Sequence, residues 1–125
     1  MKDFKKSYLV PAPPEMVYAA LTVPATLELW TGEPADMSTE PGSEFSLWDG
    51  SINGRNIAFE PGKKIVQEWY FGGEDAPSIV TITLEAEGPN TRAEVVHTNI
   101  PDEEFDSISA GWTKYYFRPL IEFYG

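Results

Sequence analysis

Residues 102–125, DEEFDSISAGWTKYYFRPLIEFYG, decide the fold of this chain. Phe105, Ile108, Trp112, Tyr115, Tyr116, Leu120 and Phe123 recur at spacings of three and four, the period of a helix with one wide apolar face. Asp102 is placed to cap its start. Glu103, Glu104 and Asp106 put negative charge where the helix dipole favours it. Gly111 in a helix interior costs about 1 kcal/mol relative to alanine, which points to close approach of another backbone or a ligand. Pro119 removes one ladder bond and is expected to bend the helix rather than end it, because the apolar period continues beyond it. So aromatic a helix needs a large concave partner.

The preceding residues read as that partner. Strands are expected at Phe4–Val10, Ser43–Trp48, Ile52–Glu60, Lys64–Phe71, Ser78–Glu87 and Thr91–Asn99, with a brief edge strand around Ala35–Met37. Asp49-Gly50, Pro61-Gly62, the loop Gly72–Pro77 and Gly88-Pro89-Asn90 supply the turns. After the first strand, Pro13 and Pro14 suit the first turn of a helix, whose apolar side is Met16, Val17, Ala20 and Leu21. Pro24 breaks it, and Ala25–Trp30 forms a second short helix. The order is α+β, about six or seven antiparallel strands with helices towards both ends of the sequence. At 125 residues this is one domain, 1–125, large enough for a real core.

Alternation assigns the faces. Val80, Ile82 and Leu84 share one face of their strand, and Ala93, Val95 and His97 share the apolar side of the next. Ile65, Gln67, Trp69 and Phe71 are read as inward, as are Phe45 with Leu47 and Ile57 with Phe59. Trp48 then points out or sits at a rim.

Composition narrows the function classes. There is no cysteine, hence no disulfide framework, thiol nucleophile or cysteine metal site. The opening MKDFKKSYLV has no signal-peptide core, and no apolar run approaches the roughly 18 residues of a membrane span. A cytoplasmic protein is expected. A net charge of −11 argues against nucleic acid and against an anionic membrane. It is compatible with an apolar ligand or with a basic patch on a protein partner, and equally with solubility alone.

At this point the residues resemble a family. KIVQEW at 64–69, SIVTITLEAEGPNTRAEVVHTNIP at 78–101, the acidic run after it and GWTKYY at 111–116 look like the activator of Hsp90 ATPase homologue domain, a branch of the START-like (SRPBCC) superfamily. PPEMVYAALTVPATLELWTG at 13–32 stands where that family has a helix pair. The resemblance covers nearly the whole chain and implies a helix-grip fold, a curved antiparallel sheet wrapped around a long C-terminal helix. It implies further that a deep apolar cavity for lipids, sterols, polyketides or aromatic molecules can lie between sheet and helix, and that some relatives are enzymes. The eukaryotic namesake stimulates the Hsp90 ATPase but also carries an N-terminal domain, which this chain is expected to lack.

His97 is the only histidine. Facing the helix near Trp112 or Tyr116, it could serve as acid or base or donate to a ligand carbonyl; the plainer reading is a core histidine satisfied by neighbours. Trp30, Trp69 and Trp112, with Phe45, Phe59 and Phe71, are candidates to line an aromatic pocket, and so are Tyr115 and Tyr116. Ile57 and His97 complete the candidate ligand-binding set. Each ring can bury roughly 150–250 Å², and a small-ligand site occupies about 300–1,000 Å³; the alternative is that the rings simply fill the grip. Asn56 and Gln67, if inward, need hydrogen-bond partners, from a ligand, a water or neighbouring groups. The acidic run 102–106 is explained by helix-start chemistry rather than metal binding. Glu40, Glu44, Asp49, Glu74 and Asp75 read as solvated turn residues. No phosphate loop, metal-spaced cluster or nucleotide fingerprint occurs, so no cofactor or metal is expected.

Three functions follow. The first is binding of a small hydrophobic or aromatic molecule, entering between the long helix and the loops after Trp30 and Phe71. The second is a protein-interaction module that docks on an Hsp90-type chaperone through its acidic surface and through Trp48 and Tyr70. The third is a cyclase or hydrolase using His97, with no second titratable partner evident. Outward Val66, Tyr70 and Val96 leave monomer and two-fold homodimer open.

Overall fold

The computed structural model describes residues 2–71 and 77–125. Strands β1 (Lys2–Val10), β2 (Glu44–Leu47), β3 (Ile52–Glu60), β4 (Lys64–Trp69), β5 (Ser78–Glu87) and β6 (Asn90–Ile100) form one antiparallel sheet in the order β1-β6-β5-β4-β3-β2. From β2 to β6 the chain meanders through hairpins. β1 pairs with β6 instead, from Lys2↔Ile100 to Val10↔Thr91. Two short helices, α1 (Pro14–Thr22) and α2 (Pro24–Thr31), carry the chain from β1 to the opposite edge. The expected edge strand at 35–37 is a single bridge, Asp36 with Ser46. The expected loop at 72–77 falls, but for Pro77, outside the described residues, together with Glu74 and Asp75.

Proline and glycine set the helix ends. Pro14 and Pro24 occupy first-turn positions, where a missing N–H costs nothing. Gly32, at φ 77°, closes α2 in the left-handed conformation. Val17, Ala20, Leu21 and Leu27 are buried under these helices, and Trp30 donates its indole N–H to the Ala20 carbonyl at 2.8 Å. Met16, expected on the inner side of α1, is exposed, because the buried stripe is centred on Val17 and Leu21.

The curved sheet wraps the C-terminal helix, which runs as α3 (Asp102–Gly111), a π-helical stretch (Trp112–Phe117) and α4 (Arg118–Tyr124). Asp102 is its first helical residue rather than its cap. Pro101 holds the cap position, and no side chain caps the start. The π stretch has a physical cause. Pro119 has no N–H for the carbonyl four residues back, and its ring crowds that carbonyl. One wide turn relieves this: the Arg118 N–H reaches the Thr113 carbonyl, five residues back. The extra residue shifts the phase of the apolar face. Trp112, Tyr116, Phe117 and Leu120 are buried, whereas Tyr115 and Phe123, expected inward, are exposed. Phe117 stacks on Tyr8 of β1 at 4.2 Å and 6°.

Inward strand residues follow the expected alternation in β2, β4, β5 and β6: Phe45, Leu47, Ile65, Trp69, Val80, Ile82, Leu84, Ala93 and Val95 are buried. β3 departs from it. A bulge between Asn56 and Ala58 leaves Ile57 outside the pairing, half-buried, and puts Asn56 opposite Gln67 in the interior. Phe59, beyond the bulge and opposite Ile65, packs partly buried against the core. Gly54 in the same strand leaves no room for a side chain: a Cβ there would overlap the Glu68 carbonyl and the Phe45 ring. No described helix is long and apolar enough to cross a membrane.

Candidate functional site

A half-open cleft of about 300 Å³ lies between the C-terminal helix and the β2–β3 turn. The helix contributes Ser107, Ile108, Gly111, Trp112, Tyr115 and Tyr116; the sheet side contributes Trp48, Ser51, Ile52 and Trp69. Its position is set by the turn. After Leu47 three successive residues have positive φ, Trp48 at 51°, Asp49 at 52° and Gly50 at 89°. A left-handed tryptophan is uncommon, and such backbone persists only where packing holds it. Here Trp48 leaves the strand alternation and packs at 6.1 Å from the Trp30 ring and 5.8 Å from the Tyr116 ring.

Two stacked indoles form the cleft's inner wall, Trp69 and Trp112, 4.8 Å apart and 23° from parallel. Both N–H groups are already used. Trp112 Nε1 donates to His97 Nδ1 at 3.1 Å. Trp69 Nε1 donates to Gln67 Oε1 at 3.1 Å, Gln67 Nε2 donates to Asn56 Oδ1 at 3.1 Å, and Asn56 Nδ2 donates to the Ser38 carbonyl at 3.0 Å. Asn56 and Gln67 are thus inward and satisfied by each other. The indoles turn their polar edges into the protein, and with Trp69 3% and Trp112 2% exposed each offers the cleft only a narrow strip of carbon.

His97 is completely buried. An indole can only donate, so Nδ1 is the acceptor and the proton resides on Nε2. Nε2 then donates to Ser78 Oγ at 2.9 Å, and Ser78 Oγ donates to the Thr98 carbonyl at 3.1 Å. Burial pulls the imidazole pKa down to about 4, opposed by the charge of Asp3. Both nitrogens are occupied and the ring is held neutral. His97 therefore works as a fixed pin between β5, β6 and the helix, and this geometry offers no free nitrogen for acid–base catalysis.

Tyr116 differs. It is 4% exposed, burial pushes its hydroxyl pKa up, and that hydroxyl has no hydrogen-bond partner among the described residues. A buried hydroxyl left unpaired is costly, on the order of 1–3 kcal/mol.

Of the residues singled out from the sequence, Trp69, Trp112, Tyr115 and Tyr116 come together at the cleft. Trp30 and Phe45 lie behind it in the core, Phe59 packs against the core from β3, and Phe71 stacks on His97 at 6.1 Å. Ile57, at the bulge, and His97, behind Trp112, are not part of the lining. Gly111 lines the cleft with no neighbouring backbone close by; a Cβ there would meet only the Tyr115 ring, at 3.8 Å. The cleft opens beside the β2–β3 turn rather than at the loop after Trp30, and the residues following Phe71 are outside the described part. Strand alternation put Trp48 outward or at a rim, and it is half-buried in the cleft lining; it could not find Ser51 and Ile52. Their one signal was the Trp48-Asp49-Gly50 turn itself. No described group of three or more His, Asp or Glu side chains is arranged to hold a metal ion.

Comparison with known proteins places this geometry in a family. Residues 11–123 match the family described as activator of Hsp90 ATPase homolog 1-like protein. The chain is 40% identical over 91 residues, 70% of its length, to an activator of 90 kDa heat shock protein ATPase homolog from Dictyostelium discoideum, covering 24% of that protein. It is 29% identical over 114 residues, 90% of its length, to the human activator homolog 1, covering 34% of that protein. It therefore spans about a quarter to a third of the length of these curated relatives. The crystal structure of an HSP90 activator from Plasmodium falciparum superposes with a TM-score of 0.85 at 27% identity, over 94% of this chain and 92% of that one. On the family match and the shared helix-grip architecture, this chain belongs to the activator of Hsp90 ATPase homolog 1-like family.

Proposed function

We propose that the chain binds a small, flat, largely apolar molecule in the cleft between the C-terminal helix and the β2–β3 turn. One observation carries the reading: five aromatic side chains line the cleft, and one of them, Tyr116, has a buried hydroxyl without a hydrogen-bond partner among the described residues. Stacking on Trp69 and Trp112 supplies the apolar contact, and Tyr116 answers one polar atom of the ligand. About 300 Å³ accommodates a one- or two-ring compound and no long acyl chain. Ligand binding to the native state alone raises the melting temperature. A panel of one- and two-ring aromatics should therefore produce thermal shifts that Tyr116→Phe reduces for ligands carrying a hydrogen-bonding group. Flat thermal shifts across the panel, with unchanged tryptophan fluorescence, would overturn this reading.

A second reading rests on the relatives: the chain engages an Hsp90-type chaperone in the cytosol as a monomer or two-fold dimer. In its support, the Plasmodium structure described as an HSP90 activator is of nearly the same extent as this chain. Stimulation of an Hsp90 ATPase by the isolated chain is the expected result. An unchanged rate at saturating protein rejects it.

A further inference from the structure

Resting on the ligand-binding reading, we infer that the preferred occupant of the cleft is an aromatic organic cation, of the quaternary or aryl-ammonium class. Five aromatic side chains line the cleft, Trp48 and Tyr115 at its accessible edge and Trp69, Trp112 and Tyr116 deeper and almost fully buried, and its described lining contains no Lys, Arg or His. The faces of such rings carry negative potential and attract a cation within about 6 Å, tryptophan most strongly. The N–H edges of Trp69 and Trp112, which would repel a cation, are directed away to Gln67 and His97.

Charge outside the lining adds to this. Glu104 stands one helical turn before Ile108, on the face that continues to Gly111 and Tyr115, and it is exposed. Asp49, next in sequence to the lining residue Trp48, is exposed as well. The whole chain carries −11, a field that concentrates cations and repels anions. Two basic groups stand nearby: the Lys114 ammonium lies 5.3 Å from the Tyr115 ring centre, so one of the five rings already receives a cation from the chain itself, and the Lys2 ammonium lies 5.1 Å from the ring centre of Phe105, the residue after Glu104. An anionic ligand, by contrast, would meet no basic group in the lining.

Three isosteric probes test this: 3-hydroxyphenyltrimethylammonium, 3-tert-butylphenol and 3-hydroxybenzenesulfonate. They share a ring and a phenolic hydroxyl and differ in charge. Titrations at low salt are followed by the tryptophan indole N–H signals in NMR. The ammonium should bind roughly two- to thirtyfold more tightly than the neutral phenol, and the sulfonate most weakly. Glu104→Gln, a surface change, should shrink that preference and leave phenol binding unaltered, and high salt should act likewise. Equal or tighter binding of the phenol overturns the cation assignment while the apolar-ligand reading stands. A preference untouched by both Glu104→Gln and salt overturns the charge argument. If none of the three moves an indole signal, both readings fail together.

Discussion

Trp112 donates its indole N–H to Nδ1 of His97 across 3.1 Å, with both side chains buried. The bond fixes the imidazole tautomer, because the donor cannot become an acceptor. It also orients the indole whose face forms the cleft wall.

The pH dependence of stability follows. The His97 pKa is lowered in the folded state from 6.5 to about 4, mainly by burial. Between these values the unfolded chain binds a proton that the folded chain refuses, so stability falls as pH drops from 6.5 towards 4 and is fully present above 6.5. The loss is on the order of 3 kcal/mol across that window. Urea unfolding from pH 4.5 to 7 should show this slope, and His97→Gln should flatten it. A slope unchanged in the variant would mean that carboxylates alone are responsible.

Trp112→Phe retains most of the ring's bulk but leaves His97 Nδ1 without a donor. A cost of about 1–3 kcal/mol is expected from that orphaned acceptor, beyond the lost contact area. A double-mutant cycle with His97→Gln should give a coupling of about 0.5–3 kcal/mol. Strict additivity would show that the bond has no energetic weight.

The amide chain from Trp69 to the Ser38 carbonyl makes a sharper case. Gln67→Leu orphans both the Trp69 N–H and Asn56 Oδ1 at once. About 2–5 kcal/mol of destabilisation is expected from two unpaired buried groups, although leucine is the more apolar residue. Denaturant midpoints at constant slope measure it; a neutral or stabilising result contradicts the connected chain.

The phase of the C-terminal helix is testable residue by residue. Phe117→Ala should cost about 3–5 kcal/mol, because the ring is fully buried on Tyr8. Phe123→Ala and Tyr115→Ala should each cost far less, about 1 kcal/mol, as their side chains are 42% and 58% exposed. An unbroken α-helical period from Phe105 to Phe123 predicts the reverse order.

Gly54→Ala should destabilise by about 1–3 kcal/mol as an overpacked site. Its Cβ would strike the Glu68 carbonyl and the Phe45 ring, and β3 would have to move away from β4 to admit it. Phe45→Leu in the same background should recover only part of the loss, since the carbonyl clash persists. Thermal melts of the single and double variants decide this.

The sequence by itself determined the order and type of the elements, because periodicity and turn chemistry are local. Alternation in SIVTITLEAE and TRAEVV, the proline starts of α1 and α2, and the aromatic run after Asp102 each fix their segment with no distant information. What needed the tertiary structure was every position where two segments negotiate. Pro119 is legible as a disturbance, but packing against β1 and the sheet decides that it resolves as a π turn that buries Phe117 and exposes Tyr115. The bulge at Ile57 puts Asn56 inside because Gln67 waits opposite, and a left-handed Trp48 is held by the rings of Trp30 and Tyr116 and by the backbone bonds from Asp49 N–H to the Pro34 carbonyl and from Ser51 N–H to the Trp48 carbonyl. His97 was legible as inward, yet its role was not, since a proton's place depends on the indole and hydroxyl that other elements bring to it. The cleft lies where these non-local adjustments meet, and a side chain's reach across space is not written in its neighbours along the chain.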